Sequence, residues 1–194
     1  MQHRPIVWLT GVRRVGKTVL CQSLENVQYF DRELPSVRRE MEDPELFLKA
    51  HDGMLLALDE IHRLEDPALL LKIAADHFPR IRVIATGSST LGASSKFRDT
   101  LAGRKSELYL TPLCEADSNF PQYNDRTRRF LNGGLPSFYL ADLRDERDYS
   151  EWMEAFWARD ILELFRLERR NSFLKFAELI FAQSSGRFNA SSFA

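Results

Sequence analysis

The chain has 194 residues, and its 27 Lys and Arg nearly balance its 28 Asp and Glu, which gives a formal net charge of −1 at pH 7. This length supports one substantial hydrophobic core with a small additional subdomain, and it argues against two full domains. The interspersed charges exclude a global basic field for nucleic acid, and the lack of a secretory leader or of an apolar run near ~20 residues argues against an exported or membrane protein.

The first predicted elements are a buried strand over residues 6–9, a glycine-rich loop, and a helix that begins near Thr18. Residues 11–18 match the pattern G-x-x-x-x-G-K-[ST]. A loop of this kind directs several backbone N–H groups at one point, where the helix dipole also favours an anion. Lys17 can then reach the β- and γ-phosphates of a nucleotide, and the hydroxyl of Thr18 can ligate Mg²⁺. The predicted nucleotide-binding residues are Gly11, Val12, Arg13, Arg14, Val15, Gly16, Lys17, Thr18 and Val19.

Four further strands are predicted, at residues 27–30, 54–58, 81–86 and 107–110. Their short apolar runs are bounded by polar or turn residues, as in parallel strands that are covered on both faces. Helices alternate with them: Asp43-Pro44 and Asp66-Pro67 are typical helix starts, because Asp can cap and Pro fits the first turn, and another helix is predicted over residues 94–102. This alternation predicts an α/β P-loop fold, a three-layer sandwich around a five-stranded parallel sheet.

An acidic pair, Asp59-Glu60, follows the third predicted strand. The carboxyl ends of parallel strands face the ligand crevice, so we expect Asp59 to bind the same Mg²⁺ as Thr18. Glu60 points differently from Asp59, which suits a general base that polarises the attacking water. We interpret His62, two residues further on, as a surface or packing histidine.

Hydroxyl side chains at Thr86 and Ser88 lie at the end of the fourth predicted strand and in the turn that follows it. Either hydroxyl can sense the γ-phosphate or hold the attacking water, although hydroxyl-rich turns are also common without such a role. Arg104 precedes the fifth strand and is a candidate arginine finger, which on a subunit rim would act in trans to stabilise charge on the transferring phosphoryl group. From the residues alone, Arg104 is equally consistent with an ordinary surface arginine.

The pattern changes after about residue 121, where strand signals disappear and aromatic residues recur at helical spacing. We interpret the aromatics of residues 147–167 as the core side of a helix, and we predict a second helix over residues 173–182. We therefore divide the chain into a P-loop core at residues 1–120, a helical subdomain at 121–185 and the start of a further element at 186–194.

These residues resemble a family of bacterial and archaeal AAA-type ATPases whose ATP-binding module precedes an uncharacterised C-terminal region. The likeness covers nearly the whole chain and is carried by residues 11–18, 58–62, 86–89, 101–104, 111–113, 133–136 and 159–162. The chain departs from the family at Val12, where proline is common, and it stops where relatives continue into a winged-helix-like segment. The resemblance implies that the missing region recognises a client, either DNA or a protein.

For the site, the resemblance implies that Lys17, Thr18 and Asp59 bind ATP and Mg²⁺ and that Glu60 is catalytic. It further implies that Thr86 or Ser88 is the sensor and that Arg104 is the finger. We therefore predict a cytoplasmic ATPase that forms a homo-oligomer through the trans finger, does not associate with membranes, and couples hydrolysis to conformational change on an unknown partner.

Other functions stay open at this point. The main alternative is a nucleotide-controlled regulatory switch with little turnover, associated with DNA through the missing region. A small-molecule phosphotransferase is disfavoured, because the acidic pair suits activation of water, and a GTPase is disfavoured because no N-K-x-D motif occurs. Direct DNA binding through Arg126, Arg128 and Arg129 competes with a solvated helix face, which we favour.

Overall fold

A computed structural model of the chain describes residues 4–87, 91–92, 94–114, 117, 125–142, 145–161, 170–183 and 186. The chain divides into two compact units, Met1–Glu151 and Trp152–Ala194, and the sheet belongs to the first. The domain boundaries expected at residues 120 and 185 stay predictions. The interpretation of residues 186–194 lies, except for Gly186, outside the described residues.

Five strands form one sheet: β1 Ile6–Thr10, β2 Val27–Asp31, β3 Leu55–Asp59, β4 Arg82–Thr86 and β5 Lys105–Tyr109. Their order is β2-β3-β4-β1-β5, and every neighbouring pair is parallel. The predicted five-stranded parallel sheet of an α/β fold is confirmed. Because all strands run the same way, the residues that follow β1, β3 and β4 meet at one edge of the sheet.

The described residues of the first unit include the helices α1 Lys17–Ser23, α2 Pro35–Glu40, α3 Pro44–Ala50, α4 Pro67–His77, α5 Ser95–Thr100, α6 Arg126–Asn132 and α7 Pro136–Tyr139. The two predicted Asp-Pro starts are correct: Asp43 accepts from the N–H of Leu46 at 2.9 Å, and Asp66 accepts from that of Leu69 at 3.1 Å. Helix α2 was not predicted.

Helix α8 Glu146–Phe156 spans the boundary between the units and continues into a π-helical turn, Trp157–Ile161; α9 Arg170–Ala182 follows in the second unit. The predicted long helix over residues 147–167 is thus interrupted within its described part. Of its aromatics, Trp157 is buried, while Trp152 and Phe156 are partly buried and stack on each other. No helix among the described residues is long and apolar enough to cross a bilayer.

Apolar side chains cover both faces of the sheet, because alternate residues of a strand point to opposite sides. On one face, Leu9 and Ala57 pack with Cys21 of α1. On the other, a larger buried cluster includes Trp8 of β1 and Phe47 of α3. This layered packing holds the carboxyl ends of the strands beside the N-terminus of α1.

Candidate nucleotide-binding site

The loop between β1 and α1 is shaped by glycines and closed by a lysine. Gly11 has a φ of 144°, and a Cβ there would lie 2.4 Å from the carbonyl oxygen of Leu110, so only glycine fits this approach. The ammonium of Lys17 donates to the carbonyl oxygens of Gly11 at 2.9 Å and Val12 at 3.1 Å. Lys17 therefore holds together the two ends of the loop it belongs to.

The other loop residues differ in burial. Val15 is buried, whereas Val19 on α1 is 69% exposed and Arg14 is exposed with a left-handed φ of 62°. Arg13 is half-buried, and Gly16 turns the chain into α1. Val15 therefore packs within the loop, while the side chains of Arg14 and Val19 are accessible to solvent.

The carboxylate of Asp59 accepts hydrogen bonds from three side-chain hydroxyls. We call Asp59 and these three residues the Asp59 cluster. Thr18 and Tyr29 each donate to Oδ2 at 2.7 Å, and Thr86 donates to Oδ1. Asp59 is only 4% exposed. These hydroxyls come from α1, β2 and β4, so three elements fix the orientation of one buried carboxylate.

Tyr29 is a member of this cluster that sequence reasoning missed. No motif marks it, and the only available signal was the alternation of side chains along β2. That signal becomes useful only once β2 is known to lie beside β3, where Tyr29 pairs with Ala57 on the face that carries Asp59.

The charge of Asp59 affects its buried neighbours. Burial and the negative charge of Asp59 raise the pKa of Cys21 to about 11. Burial, the hydrogen bond to Asp59 and its charge also raise the pKa of Tyr29 above the ordinary value of a phenol. Both groups therefore stay protonated near neutral pH.

Glu60 leaves β3 in the left-handed conformation, with φ 56° and ψ 42°. Its Oε2 lies 3.1 Å from Nδ1 of the partly exposed His62, so His62 contacts the candidate base, and its interpretation as a surface or packing histidine stays a prediction. This hydrogen bond is the main cause that lowers the pKa of Glu60; burial opposes it, and the charges of Lys17 and Arg63 add to it. The carboxylate of Glu60 is therefore ionised and within the electrostatic reach of Lys17.

Of the two sensor candidates, Thr86 joins the cluster and Ser88 lies outside the described residues. The hydroxyl of Thr86 donates to Asp59 and accepts the backbone N–H of Glu60 at 3.1 Å. Thr86 is fully buried. One hydroxyl therefore connects the two residues of the acidic pair.

Arg104 lies apart from this group. Its Nε and Nη2 donate to the two carboxylate oxygens of Asp76 on α4, at 2.7 and 3.0 Å, and this contact lowers the pKa of Asp76. Arg104 immediately precedes β5, whose first residue pairs with Ile6 at the start of β1, whereas the phosphate loop follows the end of β1. At ~3.3 Å per residue, a five-residue strand separates the two edges by roughly 15 Å.

The arginines considered for DNA contact mainly hold backbone. Arg128 donates to the carbonyl oxygens of Tyr139 at 2.6 Å and Ala141 at 2.8 Å, and Arg129 donates to those of Leu113 and Cys114. Both guanidinium groups lie about 6 Å from the ring of Tyr139. We call Arg128, Arg129 and Tyr139 the arginine clamp. Its two arginines are partly buried and their guanidinium groups bind backbone carbonyl oxygens, while Arg126 on the same helix is exposed.

Two segments that carried the family resemblance meet beside the clamp. The N–H of Leu113 donates to the carbonyl oxygen of Gly134 at 2.7 Å. A Cβ on Gly134 would lie 2.7 Å from the carbonyl oxygen of Leu113 and 3.2 Å from Cβ of Pro112. Glycine is needed here because two backbone segments approach closely.

A family model described as an AAA domain matches residues 3–117 of this chain. Two curated relatives, uncharacterized proteins of Mycobacterium bovis and Mycobacterium tuberculosis, are each 30% identical to it over 171 residues. The alignments cover 84% of this chain but 37% of each relative, so the chain spans little more than a third of their length. A solved Walker-type ATPase of Pyrococcus abyssi has 16% identity and a TM-score of 0.44, covering 94% of this chain and 72% of that one.

Proposed function

Because the chain belongs to the AAA domain family of P-loop ATPases, we propose that it binds ATP with Mg²⁺ and hydrolyses it to ADP and phosphate. The observation that carries this proposal is the Asp59 cluster behind the phosphate loop. Thr18 of the loop and Asp59 of β3 are already hydrogen bonded at 2.7 Å. Two segments 41 residues apart therefore bring the expected metal-binding oxygens together.

The ammonium of Lys17 provides the first step, which is phosphate binding. Its present acceptors are two carbonyl oxygens of the loop. A phosphate oxygen bears more negative charge than a carbonyl oxygen and makes a stronger, charge-assisted hydrogen bond with an ammonium. ATP would therefore take Lys17 from Gly11 and Val12, while the N–H groups at the start of α1 face the same anion.

The donor set fits a magnesium ion. A hydroxyl and a carboxylate are hard oxygen ligands, and protein sites for Mg²⁺ commonly supply only one or two such groups beside the phosphates. Thr18 and Asp59 would hold the ion. When bound, Mg²⁺ neutralises charge on the β- and γ-phosphates.

We assign the role of general base to Glu60. The lowered pKa keeps its carboxylate ionised, so it can orient and deprotonate a water molecule near the γ-phosphate. The contact with His62 competes for that carboxylate, so Glu60 must leave His62 or share it with water. Thr86 is proposed as the sensor because it links Asp59 to the backbone of Glu60; a role for Ser88 stays a prediction.

Arg104 is proposed to act on the nucleotide of a neighbouring copy. The length of β5 separates it from its own phosphate loop, which disfavours action within one chain. A guanidinium at that position can stabilise the transferring phosphoryl group only across a subunit contact. This proposal implies a homo-oligomer, in which Arg104 exchanges Asp76 for phosphate.

The test is ATP turnover with Mg²⁺ across a protein dilution series, for the parent, Glu60→Gln and Arg104→Ala, with ATP binding measured in parallel. The matched control is Arg98→Ala, an exposed arginine on α5. We expect turnover that rises with concentration, is lost in both site variants and persists in the control. A mixture of the two site variants should regain activity, because an Arg104→Ala copy with an intact base can receive the finger of a Glu60→Gln copy.

Rapid turnover by a dilute monomer would contradict the trans role of Arg104.

A second function, a nucleotide-controlled switch with little turnover, is favoured by two contacts: Glu60 is bound to His62, and Arg104 is bound to Asp76. ATP binding without turnover at every concentration would support that switch. We propose that the client, whether DNA or protein, binds to a region that the relatives have outside the part aligned with this chain.

A further inference from the structure

The hydroxyl of Tyr29 contacts Asp59 from outside the segments that are expected to bind ATP. Thr18 belongs to the phosphate loop and Thr86 is the last residue of β4, whereas Tyr29 lies in the middle of β2 at the edge of the sheet. We propose that Tyr29 is a positioning residue for Asp59, and that it holds Oδ2 so that the carboxylate faces the metal and phosphates. This inference rests on the proposed function.

The register explains why a tyrosine is needed. Tyr29 pairs with Ala57, and Asp31 pairs with Asp59. The side chain of Tyr29 therefore starts two residues, about 6.6 Å, short of Asp59 along the strand direction. A phenol spans that distance to give the 2.7 Å hydrogen bond, while serine or threonine at this position is too short.

The two carboxylate oxygens have different partners. Oδ1 accepts from Thr86, and Oδ2 accepts from both Thr18 and Tyr29. Thr18 is the proposed metal ligand, so its hydroxyl must serve two partners once the ion is bound. Tyr29 is then the donor on Oδ2 that does not depend on the ligand.

The environment of Tyr29 suits a permanent donor. Its ring packs against the buried cluster of Leu9, Cys21 and Ala57, which anchors the phenol. The anchored ring keeps the hydroxyl within hydrogen-bond distance of Oδ2.

The experiment compares Tyr29→Phe with the parent, measuring the dissociation constant of ATP in EDTA and in saturating Mg²⁺. Phenylalanine keeps the packed ring and removes only the hydroxyl. We expect the Mg²⁺-dependent gain in affinity to fall by roughly 10-fold, the lower end for loss of a group that orients a metal ligand, while affinity in EDTA changes by less than about twofold. The control is Tyr139→Phe, which removes a hydroxyl from a buried tyrosine elsewhere in the same unit and should change neither constant.

A double-mutant cycle with Asp59→Asn separates positioning from packing. If Tyr29 acts through the carboxylate, Tyr29→Phe should cause no further loss in the Asp59→Asn background. The inference would be overturned if Tyr29→Phe kept the full Mg²⁺-dependent gain in ATP affinity, or if it lost equal affinity with and without Mg²⁺. Either result would leave the proposed function intact. A parent that shows no Mg²⁺-dependent gain would overturn both.

Discussion

The phosphate loop and the arginine clamp contain the same kind of contact, but the contact has a different structural role in each. In each, a cationic side chain donates to two backbone carbonyl oxygens: Lys17 to Gly11 and Val12, and Arg129 to Leu113 and Cys114. The lysine bonds residues five and six positions away, so it closes a local loop. The arginine bonds residues 15 and 16 positions away, so it joins separate parts of the fold.

The difference shows what a cation's partners reveal about its role. A loop that is closed by its own lysine loses little tertiary structure when a phosphate takes the lysine away. A clamp that releases its donors loses the hydrogen bonds that join distant segments of the chain. Changes at the loop should therefore alter ligand affinity with little effect on stability, and changes at the clamp should do the reverse.

The largest effect that tests this comparison is expected for Lys17→Met, which removes the charge but keeps a long side chain. ATP affinity in Mg²⁺ should fall by about 100-fold, or about 2.7 kcal/mol, because a charge-assisted contact to phosphate is lost. The free energy of unfolding without nucleotide should change by less than about 1 kcal/mol. Calorimetric titration measures the affinity and urea unfolding measures the stability. The control is Lys49→Met, at an exposed position in α3. If Lys17→Met instead lost much of its stability, the loop and the clamp would not differ in the way that we expect.

The next effect is expected beside the clamp, for Gly134→Ala. The new Cβ would lie 2.7 Å from the carbonyl oxygen of Leu113, so backbone must shift at a point where Leu113 is also hydrogen bonded to residue 134. We expect the free energy of unfolding to fall by about 1–3 kcal/mol, with ATP affinity unchanged. Thermal unfolding detects the change, and Ser137→Ala, at an exposed position in α7, is the control. Unaltered stability would show that the two segments are free to separate.

Arg129→Met should have a somewhat smaller effect of the same kind. It leaves the carbonyl oxygens of Leu113 and Cys114 without their arginine donor, which should cost about 1–2 kcal/mol of unfolding free energy. ATP affinity should stay at the parent value, and the exposed Arg147→Met should change neither property. If Arg129→Met instead weakened ATP binding selectively, the clamp would belong to the ligand site.

The smallest effect is expected at Glu60, as a dependence of stability on pH. Its pKa is lower in the folded chain than the ordinary value of about 4.3, so its favourable contribution is present above that value and is lost as the pH falls through the lowered one. The side chain of Glu60 is 37% exposed, and solvent screening keeps the contribution below about 1 kcal/mol. Urea unfolding of the parent and Glu60→Gln should show a difference that shrinks from pH 5 to pH 3; a difference that grows would reverse the assigned shift.

The sheet was predictable because its strands are short apolar runs that stop at polar residues. Asp43 and Asp66 were equally clear, since capping depends on a few adjacent residues. Helix α2 was missed because its proline both ends an extended segment and begins a helix, and its six residues are too few to show a period. The π-helical turn after Phe156 was missed because helical spacing of aromatics does not reveal a local change of winding.

At the site, the predicted meeting of Thr18 with Asp59 followed from the parallel strands alone. The contribution of Tyr29 depends on which strand lies beside β3, and strand order is set by the packing of the whole sheet. The contact between Glu60 and His62 depends on a left-handed backbone at a non-glycine residue, which sequence does not signal. The partner of Arg104 lies 28 positions away on α4, and surface ion pairs of that separation have no sequence pattern.

The arginine clamp also determines where this protein can be shortened. Arg128 and Arg129 supply donors to residues 113 and 114 and to residues 139 and 141. An expression product cut at the predicted boundary of residue 120 would retain every strand but lose these donors, whereas one that extends past Ala141 would keep them. A chain shortened for crystallisation or for deletion mapping should therefore end after Ala141, beyond the clamp, rather than directly after the last strand.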